Sequence, residues 1–333
     1  MRTFLNKFLL IVRHVNVALL CLLFAVQVHA QSGLVQDPNA QIWLTKMAQA
    51  KQQLNYKVTF VMSRPGADPQ PYLWRHAITE DGIEMEQLDQ LNGPGKEVIR
   101  IGNTVSYFDS HRPPYSLQSS HISGPLPSIL LTDPLSLMPA YEFVVVGKSR
   151  ISGRVAQQIR MVSKDKTRFG YNLWLDQNIG LPLKISVVDL NGQKMEQIQV
   201  TELEVTPSPD PYFANYVVSA TMPDVVQFAP QPKEKQNWKL DFVPIGMEQV
   251  KHSVRLLQNN GGKLEYMMLS DGLVDISVYL QRANGQVAES DIVARIGSDI
   301  YYSRTQGNVL VTVIGKIPAN TANAIATSIS AVQ

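Results

Sequence analysis

The stretch "TRFGYNLWLDQNIGLPLKISVVDLNGQ", residues 167–193, decides the fold. Five of the seven residues from Phe169 to Leu175 are large and apolar or aromatic. They alternate, so Phe169, Tyr171, Leu173 and Leu175 point one way, and Arg168, Asn172, Trp174 and Asp176 the other. The run stops at Gly180-Leu181-Pro182, and a second alternating run ends at Asn191-Gly192. Two strands joined by tight turns have one apolar face to cover. Either the protein core or a ligand must cover it.

Outward from this stretch the same grammar repeats. "YKVTFVMSR" puts Tyr56, Val58, Phe60 and Met62 on one face, and "PYLWRHAIT" does the same for Tyr72, Trp74, His76 and Ile78. "GIEMEQLDQL" ends in the turn Asn92-Gly93-Pro94-Gly95, and "EVIRIGNTVSYFD" turns at Gly102-Asn103. "YEFVVVGKSRISGRVAQQIRMVSKD" and "EQIQVTELEV" complete a set joined by short Gly/Asn turns, the pattern of an antiparallel meander. One helix precedes it over 37–54, capped by Asp37 with Pro38 at the first helical position. Its apolar stripe is Ile42, Trp43, Met47, Ala50 and Leu54. So large a sheet twists and curls, and its apolar face must close on itself or be covered.

The meander is interrupted between Ser110 and Glu142 by "SHRPPYSLQSSHISGPLPSILLTDPLSLMPAYE". A long connection inside a compact domain is usually functional or disordered, and this one is too apolar for a disordered linker. It is read as a lid that includes Pro113, Pro114, Ile122, Leu126 and Leu130. The expected ligand cavity beneath it is lined by Phe60, Met62, Tyr72, Trp74, Tyr107, Phe169, Tyr171 and Leu173. Taken singly, each is better explained as core, because aromatic residues dominate cores. As a set they exceed what one or two helices cover, which favours an apolar concavity. Met47, Met62, Met85, Met138 and Met161 add adaptable surface.

The first thirty residues read as a cleaved secretory signal. Arg2, Lys7 and Arg13 form a basic start, Val17 to Val28 is a short apolar run, and Val28-His29-Ala30 precedes the cleavage point. Cys21, the chain's one cysteine, lies inside it and follows Leu20 rather than the small residue a lipid-anchor signal needs. A cysteine-free mature chain excludes disulfides, thiolate catalysis and cysteine metal sites. Loss of Arg2, Lys7 and Arg13 turns the net charge of +2 into −1, so no nucleic-acid partner is expected.

About three hundred remaining residues suit two domains. The segment from Thr206 to Lys235, "TPSPDPYFANYVVSATMPDVVQFAPQPKEK", is a Pro-rich semi-rigid spacer. The expected organisation is a signal over 1–30, a first domain over 31–215, a linker over 216–236 and an α+β domain over 237–333. In the last, "KLEYMMLS", "LVDISVYLQR" and the hairpin "DIYYSRTQGNVLVTVIGKI" form a second meander. The tail "PANTANAIATSISAV" reads as a helix capped by Asn320, with Ile325, Ile329 and Val332 on one stripe.

"KDKTRFGYNLWLDQNIGLPLKISVVDLNGQKMEQIQVTELE", "VPIGM", "YMMLSDGLVDISVYL" and "GKIPANTANAIATSI" resemble, in order, landmarks of the RseB/MucB family of periplasmic sigma-E regulators. The first block alone also resembles the outer-membrane lipoprotein carriers. The resemblance implies a mainly β protein, with an N-terminal half-open antiparallel barrel of lipoprotein-carrier type and a smaller C-terminal α+β domain. It implies binding to the periplasmic part of a membrane-spanning anti-sigma factor, shielding it from the site-one protease, with release by lipopolysaccharide or a related lipid. A periplasmic lipid or lipoprotein carrier is the alternative, and homo-oligomerisation is left open.

No G-x-S-x-G, H-E-x-x-H, Walker A or G-x-G-x-x-G motif occurs, so no enzyme, cofactor or metal is expected. His76, His111, His121 and His252 are scattered, and Asp109 with His111 and His121 is too sparse a set for zinc. Arg64, Arg75, Arg100, Arg112, Lys148, Arg150 and Arg154 lie near strand ends or the lid, where they would suit phosphorylated lipid heads or simply solvent.

Overall fold

A computed structural model describes residues 38–217, 222–228, 235–257, 262–283 and 291–332. The expected signal, the cap Asp37 and parts of the expected linker and C-terminal turns lie outside these residues. The described chain opens with helix α1 (Pro38–Gln53). It buries Ala40, Leu44, Met47, Ala50 and Lys51, whereas Ile42 is 65% exposed. The expected stripe is therefore corrected by part of a turn: Ala40 and Leu44 face inward, and Ile42 faces outward.

Eleven strands follow: β1 (Asn55–Ser63), β2 (Gln70–Ile78), β3 (Glu84–Gln90), β4 (Lys96–Ile101), β5 (Thr104–Asp109), β6 (Arg112–Gln118), β7 (Tyr141–Ile151), β8 (Arg154–Ser163), β9 (Gly170–Asp176), β10 (Pro182–Val188) and β11 (Lys194–Thr206). They form one antiparallel sheet in the order β6-β5-β4-β3-β2-β1-β11-β10-β9-β8-β7. Each neighbouring pair is a local hairpin except β1–β11, which joins two meanders, with Tyr56 opposite Val205 and Met62 opposite Ile198. A bulge at Thr59/Phe60 bends this seam, and bulges curve sheets. The sheet does not close, because β6 and β7 are its two edges. The chain between them, 119–140, is the lid, with helix α2 (Ser128–Thr132) and a 3₁₀ turn over Pro134–Leu137.

A second layer contains β13 (Glu248–Leu256), β14 (Lys263–Ser270), β15 (Asp275–Arg282), β16 (Ile292–Ile296), β17 (Asp299–Gln306) and β18 (Val309–Gly315), ordered β13-β14-β15-β18-β17-β16. Helix α3 (Ala319–Thr327) packs on β17 and β18 through Ala322, Ile325 and Ala326. Here too the expected helix is corrected. Pro318, not Asn320, stands at its N-cap, and it stops at Thr327. Ile329 begins β19 (Ile329–Ala331), which pairs with β12 (Trp238–Leu240). This layer has its own apolar cluster, built on Met267, Leu269, Ile276, Val278, Val311 and Val313. Leu273 packs against both clusters.

Candidate functional site

Alternation along β1, β2, β9, β10 and β11 delivers one apolar face. Phe60, Met62, Trp74, Phe169, Tyr171 and Leu173 are all buried in one cluster, with Tyr72 packed at its margin. The rings of Phe60 and Tyr72 stack with centroids 5.2 Å apart, and Tyr171 meets Tyr141 edge-on at 6.4 Å. Tyr107 is elsewhere: on β5 it stacks on Tyr115 at 5.0 Å and takes no part in the cluster. From the lid, Leu130 is fully buried and Ile122 and Leu126 pack on the same cluster. Pro113 and Pro114 are not in the lid segment. They lie exposed in β6, where an edge strand tolerates residues that cannot donate to a ladder.

The lid fills the concavity. Beneath it remain a cavity of about 30 Å³, between Trp74, Leu88, Ile122 and Leu126, and one of about 20 Å³, between Tyr56, Phe60, Trp74, Leu126 and Val200. Each has room for a water or two, far below the few hundred Å³ of a small-molecule site. A third, of about 250 Å³, opens where Gly124, Pro125 and Pro127 meet Tyr171, Ile185, Ile198, Leu273 and Val274. Leu126 borders both small cavities, and Gly124 borders both the first and the third. A Cβ on Gly124 would come within 2.6 Å of Leu88 Cδ2, so any larger residue there would require the Leu88 side chain to move.

At one end of the cluster lies a group of charges that alternation did not reveal. Arg100 is 2% exposed and Glu86 4%, and Lys51 and His76 are also buried. Lys51 Nζ lies 2.5 Å from Glu84 and 3.2 Å from Glu86, and Arg100 reaches each carboxylate at 2.7 Å. His76 contacts Glu84 at 3.0 Å and the Leu54 carbonyl at 2.7 Å. Burial alone would raise the Glu84 pKa, but hydrogen bonds from His76, Lys51 and Arg100 outweigh it and hold this carboxyl well below the usual range. His76, Glu84 and Glu86 stand close enough to share a metal ion. The two carboxylates are already partnered by Lys51 and Arg100, so the cluster reads as a structural anchor for α1. Arg64, Arg75 and Arg154 likewise face Glu196, Asp210 and Asp176.

A second missed group joins the two layers. Arg168 is fully buried. Its Nη2 donates to the Ile245 carbonyl, Nη1 lies 3.4 Å from Asp271 Oδ2, and the guanidinium sits 5.7 Å from the Tyr141 ring centre. Asp165 Oδ2 accepts from Ile245 N at 3.1 Å. Glu196 accepts from Ser298 at 2.6 Å, Lys316 at 2.8 Å and Arg64 at 3.0 Å. Burial opposes ionisation of Glu196, but the bonds from Lys316 and Ser298 prevail and lower its pKa.

Residues 39–226 match the family described as "MucB/RseB N-terminal domain", and residues 232–330 match "MucB/RseB C-terminal domain". The chain belongs to the MucB/RseB family. Among its relatives is "Sigma-E factor regulatory protein RseB" of Salmonella typhimurium, 34% identical over 92% of this chain and 95% of the relative. Another is "Sigma factor AlgU regulatory protein MucB" of Pseudomonas aeruginosa, 28% identical over 88% of this chain and 92% of the relative. The solved complex of Pseudomonas aeruginosa MucA/MucB matches with a TM-score of 0.69 at 26% identity, over 89% of this chain and 99% of that one. The MucB/RseB architecture therefore runs through both sheets. The open eleven-stranded sheet and the smaller second layer agree with the fold expected from the sequence.

Proposed function

We propose that this chain is a periplasmic regulator of an envelope-stress sigma factor. It holds the periplasmic part of a membrane-spanning anti-sigma factor and shields it from proteolysis. The observation that carries this reading is the match of both halves, in order, to a family whose MucB member has been solved in complex with MucA. The chain acts by binding rather than catalysis. It is exported by the segment 1–30 and organised as a lipid-responsive domain over 31–215, a linker over 216–236 and a partner-binding domain over 237–333. The apolar face of Phe60, Trp74, Tyr171 and Leu173 under the lid supports a lipid signal of lipopolysaccharide type. Lipid and partner then compete through a shared equilibrium, and linkage makes their coupling reciprocal.

The test is calorimetric titration of the anti-sigma periplasmic segment into the full chain, with and without saturating lipopolysaccharide fragments. Weaker partner binding in the presence of lipid is expected. Equal affinity would remove the sensor and leave a shielding protein. Failure to bind the segment, with uptake of a lipoprotein instead, would support the carrier reading, which the apolar face alone also favours.

A further inference from the structure

The lid is held from outside the first sheet. Two turns of the second layer press on it, and each is built on a glycine with positive φ. A Cβ placed on Gly272 (φ +81°) would lie 3.5 Å from Ile129 Cβ and 3.3 Å from its Cγ1. A Cβ on Gly246 (φ +77°) would lie 3.4 Å from Ala140 Cβ. Ile129 is in α2, and Ala140 is the last residue of the lid before β7. The same two turns are gathered by one side chain: Arg168 bonds the carbonyl of Ile245, next to Gly246, and pairs with Asp271, next to Gly272.

We propose that these turns clamp the lid, so that an acyl chain can take the space now filled by Leu126 only when the second layer draws back. This rests on the lipid reading above and supplies the coupling that reading lacks. With the lid down, the two cavities beside Leu126 hold about 30 and 20 Å³, too little for an acyl chain. Entry therefore requires the lid to rise, and Ile129 and Ala140 cannot rise while Gly272 and Gly246 stay packed against them. A partner that fixes the second layer keeps the lid closed, and a chain that lifts the lid disturbs the surface the partner holds. The clamp is built to release. Arg168 Nε and Nη1 and Asp271 Oδ2 have no hydrogen bond of good geometry, and a buried ion pair so incompletely satisfied is weakly held.

The test uses the full chain in a Cys21→Ser background. The pair Ile129→Cys/Gly272→Cys has a Cβ–Cβ separation within the range of a disulfide. Ala140→Cys/Gly246→Cys is the second pair should the first not fold. Uptake of cis-parinaric acid is compared in the oxidised and reduced forms of one preparation. The oxidised form should bind about tenfold more weakly or not at all, with dithiothreitol restoring uptake. Equal uptake in both forms overturns the clamp. A second readout needs no ligand: Ile129→Ala should speed hydrogen exchange of the 128–138 amides about tenfold, with those of β9 and β10 unchanged. Unchanged lid exchange also overturns the proposal. If wild-type protein takes up no acyl probe, the lipid reading fails, and the exchange result still decides the clamp.

Discussion

Arg168 lies just before β9, and strand alternation extended back from Phe169 assigns it to the outer face. It is instead fully buried. Asp165 Oδ1 accepts bonds from Ser163 and Thr167 and Lys166 takes a positive φ, so the chain turns there and the alternation does not apply. Its partner, Asp271, is remote in sequence, and no local pattern announces such a pair. Asp271→Asn keeps the turn bonds to Leu273 and Val274 but leaves the guanidinium without a countercharge. A loss of about 3 kcal/mol in urea unfolding is expected. Adding Arg168→Met should recover part of it, since both charges are then gone. Alternation puts Tyr171 on the apolar face, but its surroundings are not visible in the sequence. It is buried against the core yet borders the 250 Å³ cavity. Tyr171→Ala should cost about 3 kcal/mol, the low end for an aromatic truncation, because part of the void already exists.

At the scale of elements, hairpins were legible because each carries its own register signal in a Gly/Asn turn and a two-residue period. The lid was legible as an apolar interruption, but its boundaries were not: Arg112–Gln118 forms β6 despite two prolines. The anchoring of α1 was hidden for another reason. Lys51 looks like a solvent-facing helical residue until Glu84 and Glu86 of β3 and Arg100 of β4 surround it. This cluster gives a pH dependence. The Glu84 carboxyl has a depressed folded pKa, so its contribution is fully present above the unfolded value of about 4.3 and is lost as pH falls through that value towards the folded one. The urea midpoint of wild-type protein should hold between about pH 7 and 5 and fall below about pH 4. Glu84→Gln should start lower and show a shallower acid decline. An equal acid decline in both proteins would assign the loss to other carboxylates.

For the whole molecule, a separate apolar cluster in each layer and a Pro-rich connection argue that each layer folds alone. Cleavage between Ala229 and Lys235 should give two fragments with dispersed amide shifts in heteronuclear NMR. A collapsed spectrum from either would move the boundary. Each separated fragment exposes half of the polar contacts between layers, including Glu196 on one side and Lys316 on the other. Mixing the fragments should therefore restore a weak, salt-sensitive complex. The two-layer plan was readable because composition changes at the prolines. The mutual grip of the layers was not, because it depends on side chains that meet only after both have folded.

The long-range seam between β1 and β11 bears on how the polypeptide reaches this state. Every other neighbouring strand pair of the large sheet is consecutive in sequence and can form as soon as its turn does. The seam must gather residues near 55–63 with those near 197–206, after the intervening chain has lost its freedom. Refolding should thus pass through two independent half-sheets and be limited by their docking. Pulse-labelled exchange during refolding should protect the amides of the β4–β5 and β9–β10 hairpins before those that β1 and β11 share. Until that docking, both half-sheets present bare strand edges, the period in which a newly exported chain is most open to wrong pairing.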